Sequence, residues 1–346
     1  MAKDLAAVTI KQGLSMQGST TVAQQVGGQG VHEHQPVSSR NIAQQILECL
    51  FRRRSLAPGE SDELSLQVLE PHLAKVMRAV ESGRKVEMVL PAFPGKSPSR
   101  KKTLSHLPDL AEYHAIDELY RLCAQIQAIY APGALIHICS DGYVFADLVR
   151  VPDADVKAYT DSIQDYAEQH YGGTFAHFDL RNAYPQLDCL DAMREEMMIE
   201  HGQSLILLQQ RFKDDPHMML MYCGIHRFLS EDYSGLDEFA GMSLNAVKKI
   251  AKPASQRVIQ RSEAWSALLQ ARYPDCLRLS IHPQLAVSTK IGIRLVPTSD
   301  LWRTPWHSVA IKRRGVVTLE KRSNVDERFH RLVFRKGRPC HYASAQ

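Results

Sequence analysis

Three short, mostly apolar runs constrain this chain more than any other feature. Val86 to Leu90, Ala134 to Cys139 and Thr174 to Phe178 each end abruptly in polar residues. Helical spacing separates them. Leu107-Pro108-Asp109 opens a segment through Tyr130, with apolar positions at Leu110, Ile116, Leu119, Leu122, Ile126 and Ile129. A second segment covers roughly Val156 to Tyr171, and Pro132-Gly133 and Gly172-Gly173 stop the two. Strand–helix–strand–helix–strand with near-continuous apolar strands is the pattern of parallel strands buried on both faces. The expected class is α/β, a Rossmann-like mixed sheet with a parallel centre flanked by helices.

The flanking segments fill in this plan. Ser38-Ser39 is an N-cap for a helix from Ile42 to Arg54, and Pro58-Gly59 breaks it. Ser61 caps a second helix, with Leu66, Leu69, Leu73, Val76, Met77 and Val80 on one face, Pro71 as a kink and Gly83 at its end. Residues from Asp188 to Arg272 read as a helical insert. Its methionines Met193, Met197, Met198, Met218, Met219, Met221 and Met242 are expected in core. The tail reads as short strands, Leu277 to Ile281, Ile291 to Val296, Val309 to Lys312, Val316 to Glu320 and Leu332 to Arg335, with a hairpin turn at Arg313-Arg314-Gly315. These antiparallel C-terminal strands are expected to finish the sheet. The first 37 residues, rich in Gln, Gly, Ser and Thr, read as disordered, which leaves 38–346 as a single α/β domain with its insert at about 188–272.

Composition excludes several partners. A net charge of +4 over 346 residues lacks the basic stripe of a nucleic-acid binder. Arg52-Arg53-Arg54 and Lys312-Arg313-Arg314 are expected at solvated ends of elements. None of the seven cysteines forms a CxxC pair, so the reading is of reduced, buried thiols in a cytoplasmic protein. No apolar run reaches the roughly 18 residues of a transmembrane helix, and the N-terminus lacks the apolar core of a signal peptide.

The chemistry gathers at the strand ends. Lys96 and Ser97 follow the first strand, Ser140 and Asp141 the second, Asp179 and Arg181 the third. Parallel strands bring such residues to one sheet edge, where ligands bind. Pro94-Gly95-Lys96-Ser97 is like the end of a P-loop, but Leu90 stands where that pattern needs glycine, and no helix start follows. A nucleotide triphosphatase is therefore rejected. Lys96, Ser97, Arg100 and Lys102 either hold a single phosphate or form a solvated basic loop. Asp141 orients an ammonium group, serves as a base, or caps the segment after it. Asp179 and Arg181 line a site or pair with each other. His32-Glu33-His34 is the one HxH among 15 histidines, no HExxH occurs, and His217 and His226 are badly spaced for a shared ion, so no metal is expected. His137, within an apolar strand, reads as a satisfied core residue. Neither GxGxxG nor GxSxG follows a strand, so neither a dinucleotide cofactor nor a serine nucleophile is expected.

Several uncommon strings occur in order: Pro91-Ala92-Phe93-Pro94-Gly95-Lys96-Ser97-Pro98, Ser140-Asp141-Gly142, Phe178-Asp179-Leu180, Ile281-His282-Pro283 and Thr304-Pro305-Trp306-His307-Ser308-Val309-Ala310. Together, from about Ser38 to Arg338, they resemble the isocyanide (isonitrile) synthase family of pyoverdine and dityrosine biosynthesis, and look closest to its bacterial tyrosine-using members of the paerucumarin type. The resemblance implies that the amino group of L-tyrosine, or of L-tryptophan in some members, becomes an isocyanide whose carbon is C2 of ribulose 5-phosphate. It implies no cofactor, and an iron- and 2-oxoglutarate-dependent oxygenase as pathway partner. On this reading Lys96, Asp141, His282 and His307 are catalytic candidates, with Lys96 a proton donor, a phosphate ligand or a structural residue. Ser97, Arg100, Lys102 and Ser140 contact substrate, and Arg181, Arg211 or Arg278 holds the amino acid carboxylate. Tyr222, His226 or Gln209 meets the phenol. The alternatives are a non-catalytic phosphosugar- or amino-acid-binding protein, a tryptophan-specific synthase, and a dityrosine-type formylating enzyme.

Overall fold

The computed structural model describes residues 38–298, 300 and 302–344. The expectation of disorder at 1–37 lies outside the described residues.

Five strands form an all-parallel sheet: β1 (Val86–Pro91), β2 (Ala134–Cys139), β3 (Phe175–Phe178), β4 (Leu277–Ser280) and β5 (Lys290–Gly292), in the order β3-β2-β1-β4-β5. Alternation sends Val86, Met88 and Leu90 of β1 to one face and Val89 to the other. The first face packs against α1 (Ser39–Phe51), α2 (Leu66–Glu81), α3 (Leu110–Ile129) and most of α5 (Asp153–Tyr171). The second packs against α4 (Gly142–Val149), α7 (Leu190–His201) and α10 (Leu244–Arg272). Helices on both faces explain why the strands read as continuous apolar runs. A four-residue helix, α6 (Leu180–Ala183), follows β3, and α8 (Leu205–Asp214) and α9 (Pro216–Tyr233) pack outside α10.

Of the tail strands expected to finish the sheet, β4 and β5 do join it, though parallel and not antiparallel, and the later ones do not. β6 (Val309–Arg313), β7 (Val316–Glu320), β8 (His330–Arg335) and β9 (Arg338–Ser344) build a second sheet, ordered β7-β6-β9-β8, against α3. Its β6–β9 pair is parallel and the other two pairs are antiparallel. The hairpin turn stands as expected: Arg314 and Gly315 both have positive φ, 48° and 84°, which matches the right-handed twist of the strands it joins.

Local signals held at several ends. The Ser38 hydroxyl accepts from Asn41 N, and Gly83 adopts φ 65° just past α2. α2 itself begins at Leu66, not near Ser61, whose hydroxyl instead accepts from Glu63 N. Arg54 is buried against Asp62 at 2.6 Å and is not a solvated end, whereas Lys312, Arg313 and Arg314 are exposed. Met193, Met197 and Met218 are core, but Met219, Met221 and Met242 are exposed. All seven cysteines are free, with Cys189 and Cys223 at the surface. No helix among the described residues is long and apolar enough to cross a membrane.

Gly142 marks the tightest packing beside the sheet edge. A Cβ there would lie 2.0 Å from the Pro94 carbonyl oxygen and 2.7 Å from Val156 Cγ1. The first turn of α4 thus presses on the loop after β1, and only glycine permits the approach. Gly142→Ala is expected to destabilise the protein by about 1–3 kcal/mol in denaturant titration.

Candidate active site

In the order β3-β2-β1-β4-β5, the chain builds outward in one direction from β1 and in the other from β4. The crevice at the carboxyl ends of strands at such a switch point is where open α/β sheets bind ligands. Here that edge receives the loop 92–103 after β1, Ser140 and Asp141 after β2, and His282 after β4. The short 3-10 turn Pro305–His307 joins them, because Ser97 N donates to the Trp306 carbonyl at 2.9 Å.

The loop is tightly anchored. Phe93 is buried with φ 60°, a conformation costly for a bulky residue, and packs its ring at a tilt against Trp306, centroids 5.4 Å apart. The Ser140 hydroxyl donates to the Phe93 carbonyl at 2.9 Å, so this side chain braces the loop. Lys96 is fully enclosed. Its ammonium contacts Asp109 at 2.9 Å and Glu112 at 2.8 Å, and donates to the carbonyls of Pro305 at 3.1 Å and Ser308 at 3.4 Å. These contacts use up its three protons, which corrects the reading of Lys96 as a phosphate ligand. One cation faces two buried carboxyls. Burial pushes Glu112 up to about 7 against the pull of Lys96, while the two carboxyls hold the Lys96 charge against its own desolvation.

Lys102 is buried too, 2.6 Å from Asp232 and 3.5 Å from Glu231, with its ammonium 4.3 Å from the Phe228 ring centroid. The Ser97 side chain also bonds Asp232. Both residues therefore fasten the loop to α9, and the Arg100 side chain is exposed. The phosphate cradle expected from Lys96, Ser97, Arg100 and Lys102 is replaced by an internal ion-pair network.

Asp141 is different. It stands at the N-cap of α4 yet makes no side-chain cap bond, and its Oδ1 is enclosed without a hydrogen-bond partner. Desolvation pushes its carboxyl from 3.8 up to about 7. His282 is an exposed residue at the rim of this edge. Desolvation, with the Lys290 charge adding, holds its imidazole near 4. His307 is held well below its usual range by burial first, then by Lys102, His282 and Lys96. Its Nδ1 is 3.1 Å from Thr304 Oγ1, and its ring lies 4.6 Å from Phe228. The fold thus brings His282 and His307 together as neutral imidazoles.

The three arginines diverge. Arg181 pairs with Asp179 at 2.7 Å and covers the Tyr143 ring at 4.7 Å, so the mutual pairing is what forms. Arg211 lies on α8 and pairs with Glu263 of α10 at 3.0 Å, so its charge is already met within the helical layer. Arg278 is buried on β4 and bonds only the neutral Gln270 and Ser266. Tyr222, His226 and Gln209 are engaged within the helical layer: Tyr222 stacks on Phe212, His226 bonds the Lys248 carbonyl and Gln209 bonds Gln256. Glu87, His137 and Cys276 place one donor atom each within 4.8 Å of one another, a set able to hold a metal ion. His137 already bonds Glu87 at 2.8 Å there and packs at a tilt against the Tyr273 ring. Sequence reasoning missed Asp232 and Lys290, which carry no local signal. It also passed over the Asp109-x-x-Glu112 capping box that sits on Lys96.

The fold and this edge define a Rossmann-like α/β protein with acid–base groups at its switch-point crevice. The chain belongs to the pyoverdine/dityrosine biosynthesis protein family, whose model matches residues 76–333. It is 40% identical over 309 residues to an L-tryptophan isonitrile synthase of Fischerella ambigua, covering 88% of this chain and 92% of that one. It is also 40% identical over 300 residues to an L-tyrosine isonitrile synthase of Pseudomonas aeruginosa, covering 85% and 90%. The crystal structure of the PvcA protein from Pseudomonas aeruginosa superposes with a TM-score of 0.80 at 37% identity, over 87% of this chain and 99% of that one.

Two outcomes are expected from these interactions. Lys96→Met leaves two buried carboxyls without their cation and should destabilise the protein by about 3–5 kcal/mol in denaturant titration. Asp141 binds its proton more tightly folded than unfolded, so it withdraws stability as pH rises from about 4 to about 7. Asp141→Asn removes that loss. Its melting temperature should match wild type near pH 3.5 and exceed it near pH 8, and equal gaps at both would refute the assignment.

Proposed function

We propose that the chain is an isocyanide synthase that converts the α-amino group of L-tyrosine to an isocyanide, taking the carbon from C2 of ribulose 5-phosphate. The observation that carries this reading is Asp141, a carboxyl whose enclosed Oδ1 has no hydrogen-bond partner and whose desolvation raises it to about 7, at the crevice of a chain 40% identical to isonitrile synthases. The amine must first lose a proton to attack the ketone. The carbinolamine then gains and loses protons to expel water and leave an imine. C2 ends bonded to nitrogen alone, so both of its carbon–carbon bonds break. One pair stays on C2 as the isocyanide lone pair while that fragment leaves as an aldehyde. The other fragment takes its pair and a proton, so no outside oxidant or reductant is needed. Each step needs a group that holds a proton near neutral pH, as Asp141 does, or accepts one, as neutral His282 and His307 do.

Tryptophan is the second reading, supported by the equal identity to an L-tryptophan isonitrile synthase. Incubation with ribulose 5-phosphate and each amino acid in parallel, followed by mass analysis, tests both. The expected product has one carbon more and two hydrogens fewer than the amino acid. Asp141→Asn should lower kcat by roughly 100-fold or more while the protein stays folded. No isocyanide from either amino acid would overturn the function and favour a binding protein. Wild-type turnover in the variant would overturn the role of Asp141.

A further inference from the structure

Five cations are buried among the described residues: Arg54, Lys96, Lys102, Arg194 and Arg278. Four face carboxylates. Arg54 pairs with Asp62, Lys96 with Asp109 and Glu112, Lys102 with Asp232, and Arg194 with Asp147, Asp153 and Asp191. Arg278, only 8% exposed, has no carboxylate within ion-pair distance. A second cation stands beside it. Arg278 and Lys290 occupy paired positions of the adjacent parallel strands β4 and β5, which sends both side chains to the same face of the sheet. Both converge on one atom: Ser266 Oγ accepts from Arg278 Nη2 at 2.9 Å and from Lys290 Nζ at 3.3 Å. Glu263, the carboxylate whose charge reaches Lys290, is itself bound by Arg211 at 3.0 Å.

Two enclosed like charges repel, and burial without a counter-charge is unfavourable for each. Elsewhere this protein meets that cost with carboxylates. Here donors remain free on both groups: Arg278 uses two of its five N–H bonds and Lys290 one of three. The pair lies beside the crevice: β4 carries Arg278 and ends at Ser280, just before His282, and the Lys290 charge also bears on that imidazole.

We propose that Arg278, Lys290 and Ser266 form an oxyanion subsite of the crevice that binds the carboxylate or the phosphate of a substrate. Only the naming of those two anions rests on the function proposed above. Loss of Arg278 endangers the fold, so the half-buried Lys290 is the residue to change. Wild type, Lys290→Met and Lys290→Arg are titrated calorimetrically with L-tyrosine, L-tryptophan, tyramine (which lacks the carboxylate), ribulose 5-phosphate and inorganic phosphate. Lys290→Met should weaken one oxyanion ligand roughly tenfold to hundredfold, and Lys290→Arg should recover most of it. Loss confined to the amino acids, with tyramine unchanged, supports a carboxylate site. Loss confined to ribulose 5-phosphate and inorganic phosphate supports a phosphate site. Unchanged affinities in folded Lys290→Met, or a wild type that binds none of these ligands, overturn the subsite. A chain that makes no isocyanide and still shows the loss would overturn the function and leave the subsite standing.

Discussion

The enclosed contact of Lys96 with Asp109 and Glu112 ties together three parts of the chain. Lys96 comes from the loop after β1, the two carboxyls from the first turn of α3, and the accepting carbonyls of Pro305 and Ser308 from the turn that presents His307. Desolvating a lysine and two acids is unfavourable unless each finds its partners. That requirement fixes where the loop runs and how the 3-10 turn sits. The capping box adds to it: Glu112 Oε2 accepts from Asp109 N while Oε1 meets Lys96, so one side chain both starts a helix and balances a charge. The Tyr159 hydroxyl donates to the same Oε1 at 3.3 Å and brings α5 into the arrangement.

Against this frame the crevice groups divide by whether their polar atoms are satisfied. Ser97, Lys102, Ser140 and Arg181 spend theirs within the protein, and so hold the edge in shape. Asp141 and the Arg278–Lys290 pair keep unspent capacity. Unspent capacity in an enclosed place is what a ligand can use. The same residue types thus serve opposite purposes a few positions apart.

The parallel sheet was legible because its strands are buried on both faces and its helices are periodic. The Arg314-Gly315 turn was legible because a tight hairpin needs positive φ. Other parts were not. Helix α4 opens with Gly142 directly after Ser140-Asp141, which looks like a turn, and its residues are apolar on nearly every side. Strand β9 carries Pro339 and His341 and looks unlike a central strand, yet β6 and β8 pair with it on either side. At the candidate site, residue types at strand ends pointed to the carboxyl edge of the sheet, where Asp141 and His282 stand. They could not show that the cationic loop turns inward, because Asp232, the partner of Lys102, lies in the helical insert. Pairing across such separation leaves no local trace in a sequence.

The close approach of Gly142 to Pro94 has a practical side for anyone who wishes to reshape the pocket. With no room for even one methyl group, the Asp141 backbone and the β1 loop form a single rigid piece. Diversity introduced there would be spent on unfolded protein. The far wall, where His282 is exposed and β5 is only three residues long, is free of that clamp. A library aimed at new substrates belongs on that side, with the glycine and its neighbours left unaltered.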